Sequence, residues 1–478
     1  MIGDRQAVET APACLRSLLE MTMLDSKPLI PGGIDGSTGQ PLSPPDVKEA
    51  LLNRLAKPKR RFREVIDGVD PKRLDEAGWG IVVAEADDLV DDALEALQPL
   101  SDLRRREAGA RYKVFLGADG YLRGEDKLDF LSRHGAGPGR VDPQKVPYYL
   151  LLVGSPEHIP YEFQYGLDLH HAVGRVYFET KEEYASYARG VVNAAAGLQG
   201  PPSARKVAFF GPCQDEGTEV SYESLLKPLI ERVRTRPDCQ VREFLGEGAT
   251  KAALGRILGG EETPNLLFSA GHGLQYRSGH RLQQIYQGAL VCQDWPGKDA
   301  PYPEQSFTGD DLDEQARLLG LISFLFACHS AGTPKRDDFA STAGGQQDMA
   351  PLPFVSHLAQ RLLGHPQGGA LAVIGHVHQV WQQSFYWRQT GSQPMPFLET
   401  VNRLLDGGPL GWAMEPLNQR FADLSVALGE LLKEAFLGGS FDLNALAELW
   451  LASQDARNYV IVGDPAVRLP GKKRVLRG

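Results

Sequence analysis

The sequence of 478 residues has no uninterrupted apolar run of about 18 residues, which a membrane-spanning helix would need. Its first residues are interrupted by Glu9, Arg16 and Glu20 and lack the apolar core of a secretion signal. Cysteines are few, odd in number and without CxxC spacing, a pattern typical of reduced thiols rather than a disulfide framework. They are Cys14, Cys213, Cys239, Cys292 and Cys328. We therefore expect a cytoplasmic protein that has no membrane partner.

Basic residues are outnumbered by acidic ones, and the formal net charge is −10 at pH 7. A protein that binds nucleic acid needs a basic face to displace counterions from the phosphates. One basic run occurs at residues 57–63, and such a run is more typical of a solvated face or a linker. We expect no nucleic-acid partner. Hydrophobic residues make up 42% and charged residues 23%, as in ordinary globular proteins.

The chain is long enough for more than one module. Residues 27–46 are dense in proline, glycine and serine, so residues 1–70 are interpreted as a flexible arm or pro-segment. A proline-rich linker at 198–205 separates a first α/β subdomain, 71–200, from a second, 201–478, which ends in a helix-rich part.

Continuous apolar runs alternate with helical periodicity along both subdomains. This alternation predicts a doubly wound, mostly parallel sheet that is covered by helices on both faces. The predicted strands are 80–86, 147–154, 206–211, 265–271, 321–327, 369–375 and 459–465. The predicted helices are 88–107, 180–197, 219–235, 353–363 and a stretch over 417–453.

Two of these strands end in residues that can carry chemistry. The run NLLFSAG leads into His272 and Gly273, and LISFLFA leads into Cys328. In an open parallel sheet the catalytic crevice lies beyond the carboxyl ends of the strands, so neighbouring strands would place both residues on one rim. A thiol that attacks a carbonyl must lose its proton and the leaving amine must gain one, and an imidazole serves both steps. Backbone N–H groups of Gly273 and Cys328 are candidates for the oxyanion hole.

Each feature alone has an ordinary explanation, because buried strand-end cysteines are common and a His-Gly pair is a weak motif. Both features together, at the ends of buried strands and with the histidine first, favour a cysteine endopeptidase with a Cys328–His272 dyad and no cofactor or metal. The alternative is a catalytically silent binding or scaffold module. Retention of both dyad residues with their glycine neighbours favours the enzyme.

The motifs SAGHG (269–273) and FACHSAG (326–332) resemble the His-Gly and Ala-Cys motifs of caspase-like cysteine peptidases, among them metacaspases, CHAT proteases and gingipains. Further segments are similar to the gingipain family in particular, and they occur in the family's order over about 145–470: YYLLLVGSPEHIP (148–160), VGRVYFETKEEYASYARGVV (173–192), GALAVIGHVHQVW (369–381) and YVIVGDPAVRLP (459–470). The resemblance implies a caspase-like fold of two sequential α/β subdomains, the second of which carries the dyad.

The resemblance also implies a specificity pocket for a basic P1 side chain. It places Glu219 where gingipains have the pocket acid and Trp381 where they have an aromatic lid. Asp215 and Glu216 are the substitutes if the register is shifted. Glu219 is equally explained as a favourable charge in the first turn of a helix, and Trp381 as a core residue. Protein substrates with Arg or Lys at P1 are the expected partners.

This sequence departs from the gingipain pattern at the acid that orients the histidine. That acid would fall near Gly211 or Pro212, where no carboxylate stands, so we expect a dyad without a third member.

A zinc site is the rival interpretation of the histidines. His376 and His378 alternate after a strand, and with His272 or Cys292 they would supply ligands. H-x-H alone is weak, however, and no CxxC or acidic cluster joins it. Asp294 lies between the two dyad members in sequence, where a turn role beside a Trp-Pro pair is favoured over a cleft role.

An endopeptidase inside a cell needs latency. Residues 332–353 lack hydrophobic periodicity and are predicted to form a long mobile loop next to the nucleophile. Lys335 and Arg336 within it form a candidate processing site for another copy of the enzyme or for an upstream protease. Equally, the pair is explained as a solvated charge cluster facing Asp337 and Asp338. These features indicate a zymogen with a regulated role, in bacterial defence or cell death.

Overall fold

The computed structural model describes residues 32–40, 65–66, 68–85, 90–197, 204–260, 262–296, 304–339, 348–387, 389–436 and 442–470. Its strands are β1 (Gly33–Asp35), β2 (Trp79–Val83), β3 (Tyr112–Phe115), β4 (Tyr149–Val153), β5 (Ala172–Val176), β6 (Arg205–Gly211), β7 (Cys239–Leu245), β8 (Leu266–Ala270), β9 (Gly273–Gln275), β10 (Leu290–Val291), β11 (Ser306–Phe307), β12 (Ile322–Phe326), β13 (Gly332–Thr333), β14 (Phe354–Val355), β15 (Ala372–His376), β16 (Tyr386–Trp387), β17 (Gly391–Ser392) and β18 (Tyr459–Gly463).

The α-helices are α1 (Leu74–Ala77), α2 (Val90–Ala96), α3 (Gln98–Ala108), α4 (Lys127–Arg133), α5 (Tyr161–Asp168), α6 (Lys181–Ala195), α7 (Glu216–Ser221), α8 (Lys227–Arg234), α9 (Lys251–Gly259), α10 (Gln283–Tyr286), α11 (His357–Leu363), α12 (Met395–Leu405), α13 (Leu410–Ala413), α14 (Glu415–Phe436) and α15 (Leu443–Arg457). A π-helical turn, Tyr222–Leu226, joins α7 to α8. None of these helices combines the length and the apolarity needed to cross a bilayer.

Ten strands form one sheet in the order β3-β2-β4-β5-β18-β15-β12-β8-β6-β7. Neighbouring strands run parallel except for β15 and β18, which pair antiparallel. The C-terminal strand β18 lies between β5 and β15, so it joins strands of the first predicted subdomain to strands of the second within a single sheet. The expected fold class, an α/β fold with a mostly parallel sheet, is confirmed.

Side chains of one strand alternate between two buried clusters on opposite faces of the sheet. In β4, Leu150 and Leu152 belong to a cluster with residues of α4 and α5, whereas Leu151 belongs to the main cluster that includes residues of α3 and α6. Helices therefore cover both faces, which explains why the strands are continuous apolar runs. Of the expected strands, β2, β4, β6, β8, β12, β15 and β18 form where predicted, with ends that differ by a few residues.

A buried polar contact ties the C-terminal strand to the first part of the chain. Asp464, directly after β18, accepts hydrogen bonds from Trp79 Nε1 at 3.0 Å and Arg104 Nε at 2.7 Å. The Tyr187 hydroxyl accepts the Asp464 N–H at 2.6 Å. The Arg104 and Asp464 side chains are only 5% and 0% exposed, so their charges lack water and stabilise each other, and Arg104 also pairs with Glu107.

A second, four-stranded sheet lies at the carboxyl ends of β8 and β12. Its strand order is β1-β9-β10-β11, and β9 begins directly after the histidine that follows β8. Residues 32–40 belong to the predicted flexible arm, yet they form β1 and a turn in this sheet. Most of the remaining predicted arm lies outside the described residues.

Candidate active site

His272 and Cys328 lie at equivalent places on two neighbouring strands. β8 and β12 pair in parallel with Ala270 opposite Phe326, and each candidate residue comes two positions later. The Gly271 N–H donates to the Phe326 carbonyl at 3.1 Å and carries the pairing one step beyond the strands. The structure therefore brings the two residues to the same edge of the sheet.

Because Gly273 has no side chain, its backbone approaches the backbone of Cys328 more closely than any other residue would allow. A Cβ at this position would lie 2.0 Å from the Cys328 carbonyl oxygen and 2.9 Å from the Cys328 nitrogen. Real Cβ atoms do not come so near to backbone, so only glycine fits without a shift of the chain. The backbones of Gly273 and Cys328, the two candidate oxyanion donors, are thus in direct contact.

The expectation of a dyad without an acidic partner is wrong in this structure. His272 Nε2 lies 2.7 Å from Asp215 Oδ2. Asp215 also caps the N-terminus of α7 and accepts the Thr218 N–H at 3.0 Å, so the helix start fixes the carboxylate. The resemblance places this acid at the end of β6, near Gly211 or Pro212, whereas the carboxylate comes a few residues later, at the cap of α7.

The Asp215–His272 pair shifts the pKa values of both groups. Burial lowers the pKa of His272, but the hydrogen bond and the charge of Asp215 raise it more, so the pKa lies above its ordinary value. Burial raises the pKa of Asp215, yet its bonds to His272 and Thr218 hold that pKa far below the usual range. His272 is 3% exposed, and its Nδ1 makes no hydrogen bond of good geometry to a described residue, although the Gly32 backbone is close enough to raise its pKa.

Cys328 is fully buried. Its Sγ accepts a hydrogen bond from the Val380 N–H at 3.2 Å. Burial raises the pKa of the thiol to about 12, although the Val380 N–H lowers it in part. In this conformation the thiol is therefore protonated at pH 7.

The backbone directly after the candidate nucleophile is strained. His329 has φ of 57°, which is uncommon for a residue with a side chain. Its N–H donates to the His378 carbonyl at 3.0 Å and its Nε2 lies 3.1 Å from Gln275 Oε1, so tertiary contacts hold this conformation. Burial lowers the pKa of His329 to about 3, and the ring is a neutral part of the turn that positions Cys328.

The two candidate pocket residues differ in their surroundings. Glu219 is exposed on α7, one turn beyond Asp215. Trp381 is fully buried, its backbone N–H donates to Asp455 Oδ1 at 2.9 Å, and its ring packs edge-on against Phe339 with 5.5 Å between centroids. Trp381 thus lies beside Val380, which contacts the candidate nucleophile, but inside an apolar cluster with residues of α14 and α15.

The candidate processing site lies on the surface. Lys335 and Arg336 are exposed. The Lys335 carbonyl accepts the Met349 N–H at 2.8 Å, and Arg336 pairs with Asp348 as an isolated antiparallel bridge. The strands β13 and β14 pair just outside these contacts. The predicted mobile loop is therefore held at both ends, and its centre, 340–347, lies outside the described residues.

The remaining histidines and Asp294 have structural partners. His376 Nδ1 lies 2.8 Å from the His378 carbonyl, and its Nε2 lies 3.0 Å from the Asp455 carbonyl. Within the described ranges, no group of three or more His, Cys, Asp or Glu side chains is placed to hold a metal ion. Asp294 Oδ1 accepts the N–H of Lys251, the first residue of α9, at 2.9 Å, which is a local structural role.

No family model matches the chain, and no curated protein matches it. Solved structures do. A complex of the pro- and mature domains of Porphyromonas gingivalis RgpB is 14% identical, covers 82% of this chain and 79% of its own, and has a TM-score of 0.46. A structure described only as a protease is 13% identical, with the same coverage and a TM-score of 0.48.

Separase of Saccharomyces cerevisiae in complex with securin is 13% identical, with a TM-score of 0.34. The match covers 67% of this chain but only 15% of the separase chain. Each of these three is a remote likeness, with an identity of 13–14% and a TM-score of 0.34–0.48.

Proposed function

We propose that the chain is a cysteine endopeptidase in which Cys328 is the nucleophile, His272 carries the proton and Asp215 positions the imidazole. The observation that supports this assignment is the meeting of three groups at one edge of the sheet: a cysteine and a histidine that follow paired strands in equivalent positions, and a carboxylate 2.7 Å from the histidine. This is the nucleophile, base and orienting group that covalent acyl transfer requires.

In the proposed reaction His272 removes the proton from the Cys328 thiol. The thiolate attacks the peptide carbonyl, and the oxyanion that forms accepts hydrogen bonds from the N–H groups of Gly273 and Cys328. The imidazolium then donates its proton to the leaving amine as the C–N bond breaks. Water, deprotonated by His272, hydrolyses the thioester, releases the acid and regenerates the thiol. Asp215 stabilises the imidazolium, because its negative charge raises the proton affinity of the ring.

Cleavage after Arg or Lys is part of this proposal. It rests on the resemblance to gingipains, which makes Glu219 the acid that pairs with the P1 side chain and Trp381 the aromatic residue of the pocket. Because Glu219 is exposed, its attraction for a cation is screened by water, and a preference of modest size is expected. A series of fluorogenic peptides that differ only at P1, with Arg, Lys, Gly, Asp or Leu, measures the preference directly.

Latency and a regulated role in a cytoplasmic defence or cell-death pathway complete the proposal. Lys335 and Arg336 are exposed, so a protease can reach them, and β13, which lies just before them, pairs with β14. Cutting this segment would release contacts that hold the rim near Cys328.

A catalytically silent module is the second candidate, and one observation favours it: the Cys328 thiol is fully buried, with its pKa raised to about 12. Purified protein incubated with the peptide series separates the two candidates. We expect hydrolysis that disappears in Cys328→Ala and His272→Ala and persists in Cys239→Ala, which changes a cysteine on the far edge strand β7. Activity that survives in Cys328→Ala would refute the assignment, and absence of hydrolysis in every preparation, including protein cut at the processing site, would support the silent module.

A further inference from the structure

An N-terminal segment of the chain lies against the candidate active site. β1 pairs in parallel with β9, with Gly33 opposite Gly273, Ile34 opposite Leu274 and Asp35 opposite Gln275. Since β9 begins directly after His272, the residue before β1, Gly32, lies next to the histidine. The segment, residues 32–36, is therefore added as a strand at the edge from which both candidate catalytic residues emerge.

Backbone hydrogen bonds place Gly32 in detail. Its N–H donates to the Val380 carbonyl at 3.0 Å, while the Val380 N–H donates to Cys328 Sγ at 3.2 Å. A single residue thus links the segment to the thiol. A Cβ on Gly32 would lie 2.8 Å from Val380 Cγ1, so this position accepts glycine and crowds any side chain.

The register also orients the Gly32 carbonyl. The Gly36 N–H donates to the Gln275 carbonyl at 2.7 Å. Hydrogen bonds between parallel strands are evenly spaced and recur every two residues along each strand. Two residues earlier on both strands, this spacing directs the Gly273 N–H towards the Gly32 carbonyl. Gly273 is one of the two N–H donors that the proposed reaction uses for the carbonyl under attack.

The residues that follow Gly32 hold the segment in place. Ile34 is fully buried in a cluster with Leu274, Tyr276, Ala289 and Val291. Asp35 Oδ1 accepts the N–H groups of Ser37 and Thr38 at 2.8 and 3.1 Å, which closes a turn directly after the strand. A Cβ on Gly36 would lie 2.4 Å from the Tyr276 ring. The surface that binds residues 32–36 therefore fits an isoleucine at position 34 and a glycine at position 36.

We propose that residues 32–36 are a built-in occupant of the substrate cleft, in which Gly32 holds the position of the P1 residue of a bound peptide. This inference rests on the proposed function, because it uses that site's nucleophile and oxyanion donor. A peptide substrate needs the same β9 edge and the same Val380 carbonyl, so it binds only when the segment leaves. Because a Cβ at this position would lie 2.8 Å from Val380 Cγ1, a substrate with a P1 side chain requires a shift of the Val380 side chain, whereas the segment with Gly32 does not.

The covalent connection of residues 32–36 to the rest of the chain strengthens their competition with substrate. The segment belongs to the same chain, so it competes with substrate at a high effective concentration that dilution does not reduce. Displacement of the segment is then a step that precedes substrate binding. It is separate from cleavage at Lys335 and Arg336, which lie on a different element.

Full-length variants test the proposal through the reactivity of Cys328, which does not depend on turnover. Gly36→Ala forces a Cβ into the Tyr276 ring, and Gly32→Val forces a side chain against Val380. Ser37→Ala, an exposed position in the adjoining turn, is the control. The rate of carbamidomethylation of Cys328 by iodoacetamide is followed by peptide mass spectrometry. Cys292, buried in the main core, reports general unfolding in the same samples.

We expect Cys328 to react about ten- to a hundredfold faster in Gly36→Ala and Gly32→Val than in wild type, since overpacking commonly costs enough to shift such an equilibrium by this factor. Ser37→Ala and Cys292 should be unaffected, and a synthetic peptide of residues 29–40 should slow the reaction again. Equal Cys328 rates in all four proteins would overturn the inference, even if peptides are hydrolysed. Faster labelling of Cys328 without hydrolysis of any peptide would support the occupant and contradict the proposed peptidase activity.

Discussion

Replacement of Asp215 by asparagine isolates the charge of the group that contacts His272. Asparagine caps helices as well as aspartate does, so the start of α7 is preserved. What is lost is the negative charge 2.7 Å from Nε2, and with it a charge-assisted hydrogen bond. Asp215→Asn should therefore leave the fold intact and change the protonation of the imidazole.

The size of the expected change in the His272 pKa follows from the burial of the Asp215–His272 pair. Hydrogen bonds to charged groups contribute about 1.5–3 kcal/mol, and the Asp215 side chain is 31% exposed, so water screens part of the interaction and about 1.5 kcal/mol is the appropriate figure. This corresponds to roughly a tenfold weaker hold on the His272 proton. If the imidazolium is needed to protonate the leaving amine, the alkaline limb of kcat/KM should move towards acid by about one pH unit.

The Asp215–His272 pair stabilises the folded protein within a limited pH range, because His272 sets the upper limit and Asp215 sets the lower limit. The pKa of His272 is raised in the folded protein, so its contribution is present below the unfolded pKa and is lost as pH rises through the folded value. The pKa of Asp215 is lowered, so its contribution is present above the unfolded pKa and is lost as pH falls. Asp215→Asn should therefore lose stability most clearly at pH values between the unfolded pKa of the aspartate and the unfolded pKa of the histidine.

The assay is the pH profile of peptide hydrolysis, together with the pH profile of Cys328 alkylation. Asp310→Asn is the matched control, because it makes the same change in an exposed His–Asp pair in which His357 Nε2 lies 3.2 Å from Asp310 Oδ1. Profiles of Asp215→Asn that superimpose on those of wild type and of Asp310→Asn would refute the role assigned to Asp215.

Three further outcomes are expected. Asp464→Asn should lower the free energy of urea unfolding by about 1.5–3 kcal/mol, because it leaves the buried Arg104 with only the partly exposed Glu107 as a counter-charge; a change below 1 kcal/mol would contradict this role. Glu219→Gln should reduce kcat/KM for Arg and Lys peptides by a few-fold, as fits an exposed acid, while kcat/KM for a Leu peptide stays constant; an equal effect on all peptides would exclude a P1 role. Alanine at both Lys335 and Arg336 should keep the chain intact on gels and delay activation, and activation at the wild-type rate would show that processing occurs elsewhere or is not needed.

The sequence predicted the sheet and the position of the dyad candidates well, because both depend on local signals. Continuous apolar runs identify buried parallel strands such as β8 and β12, and the residues that follow them must meet if the strands are neighbours. The strands that were missed carry weaker signals. β7 is an edge strand with alternating exposure, and β3 is only partly apolar, so neither stands out as a buried run.

Asp215 and the position of β1 required the folded chain. Asp215 has the sequence signal of a helix cap, and only the tertiary arrangement of α7 beside β8 brings its carboxylate to His272. β1 comes from a segment rich in glycine and proline, whose composition indicates a loop. Its strand forms because β9 offers an unpaired edge and a pocket for Ile34, which no local pattern reveals.

The central claim is that Cys328 is the nucleophile and that His272 activates it. It is tested most directly by incubating the protein with a peptidyl acyloxymethyl ketone, a reagent that alkylates the thiol of a working cysteine peptidase, and locating the adduct by mass spectrometry. We predict one adduct, on Cys328 Sγ, formed faster in Gly36→Ala and absent in His272→Ala although the protein remains folded. An adduct on Cys213, Cys239 or Cys292, or labelling of Cys328 at the same rate without His272, would contradict the account.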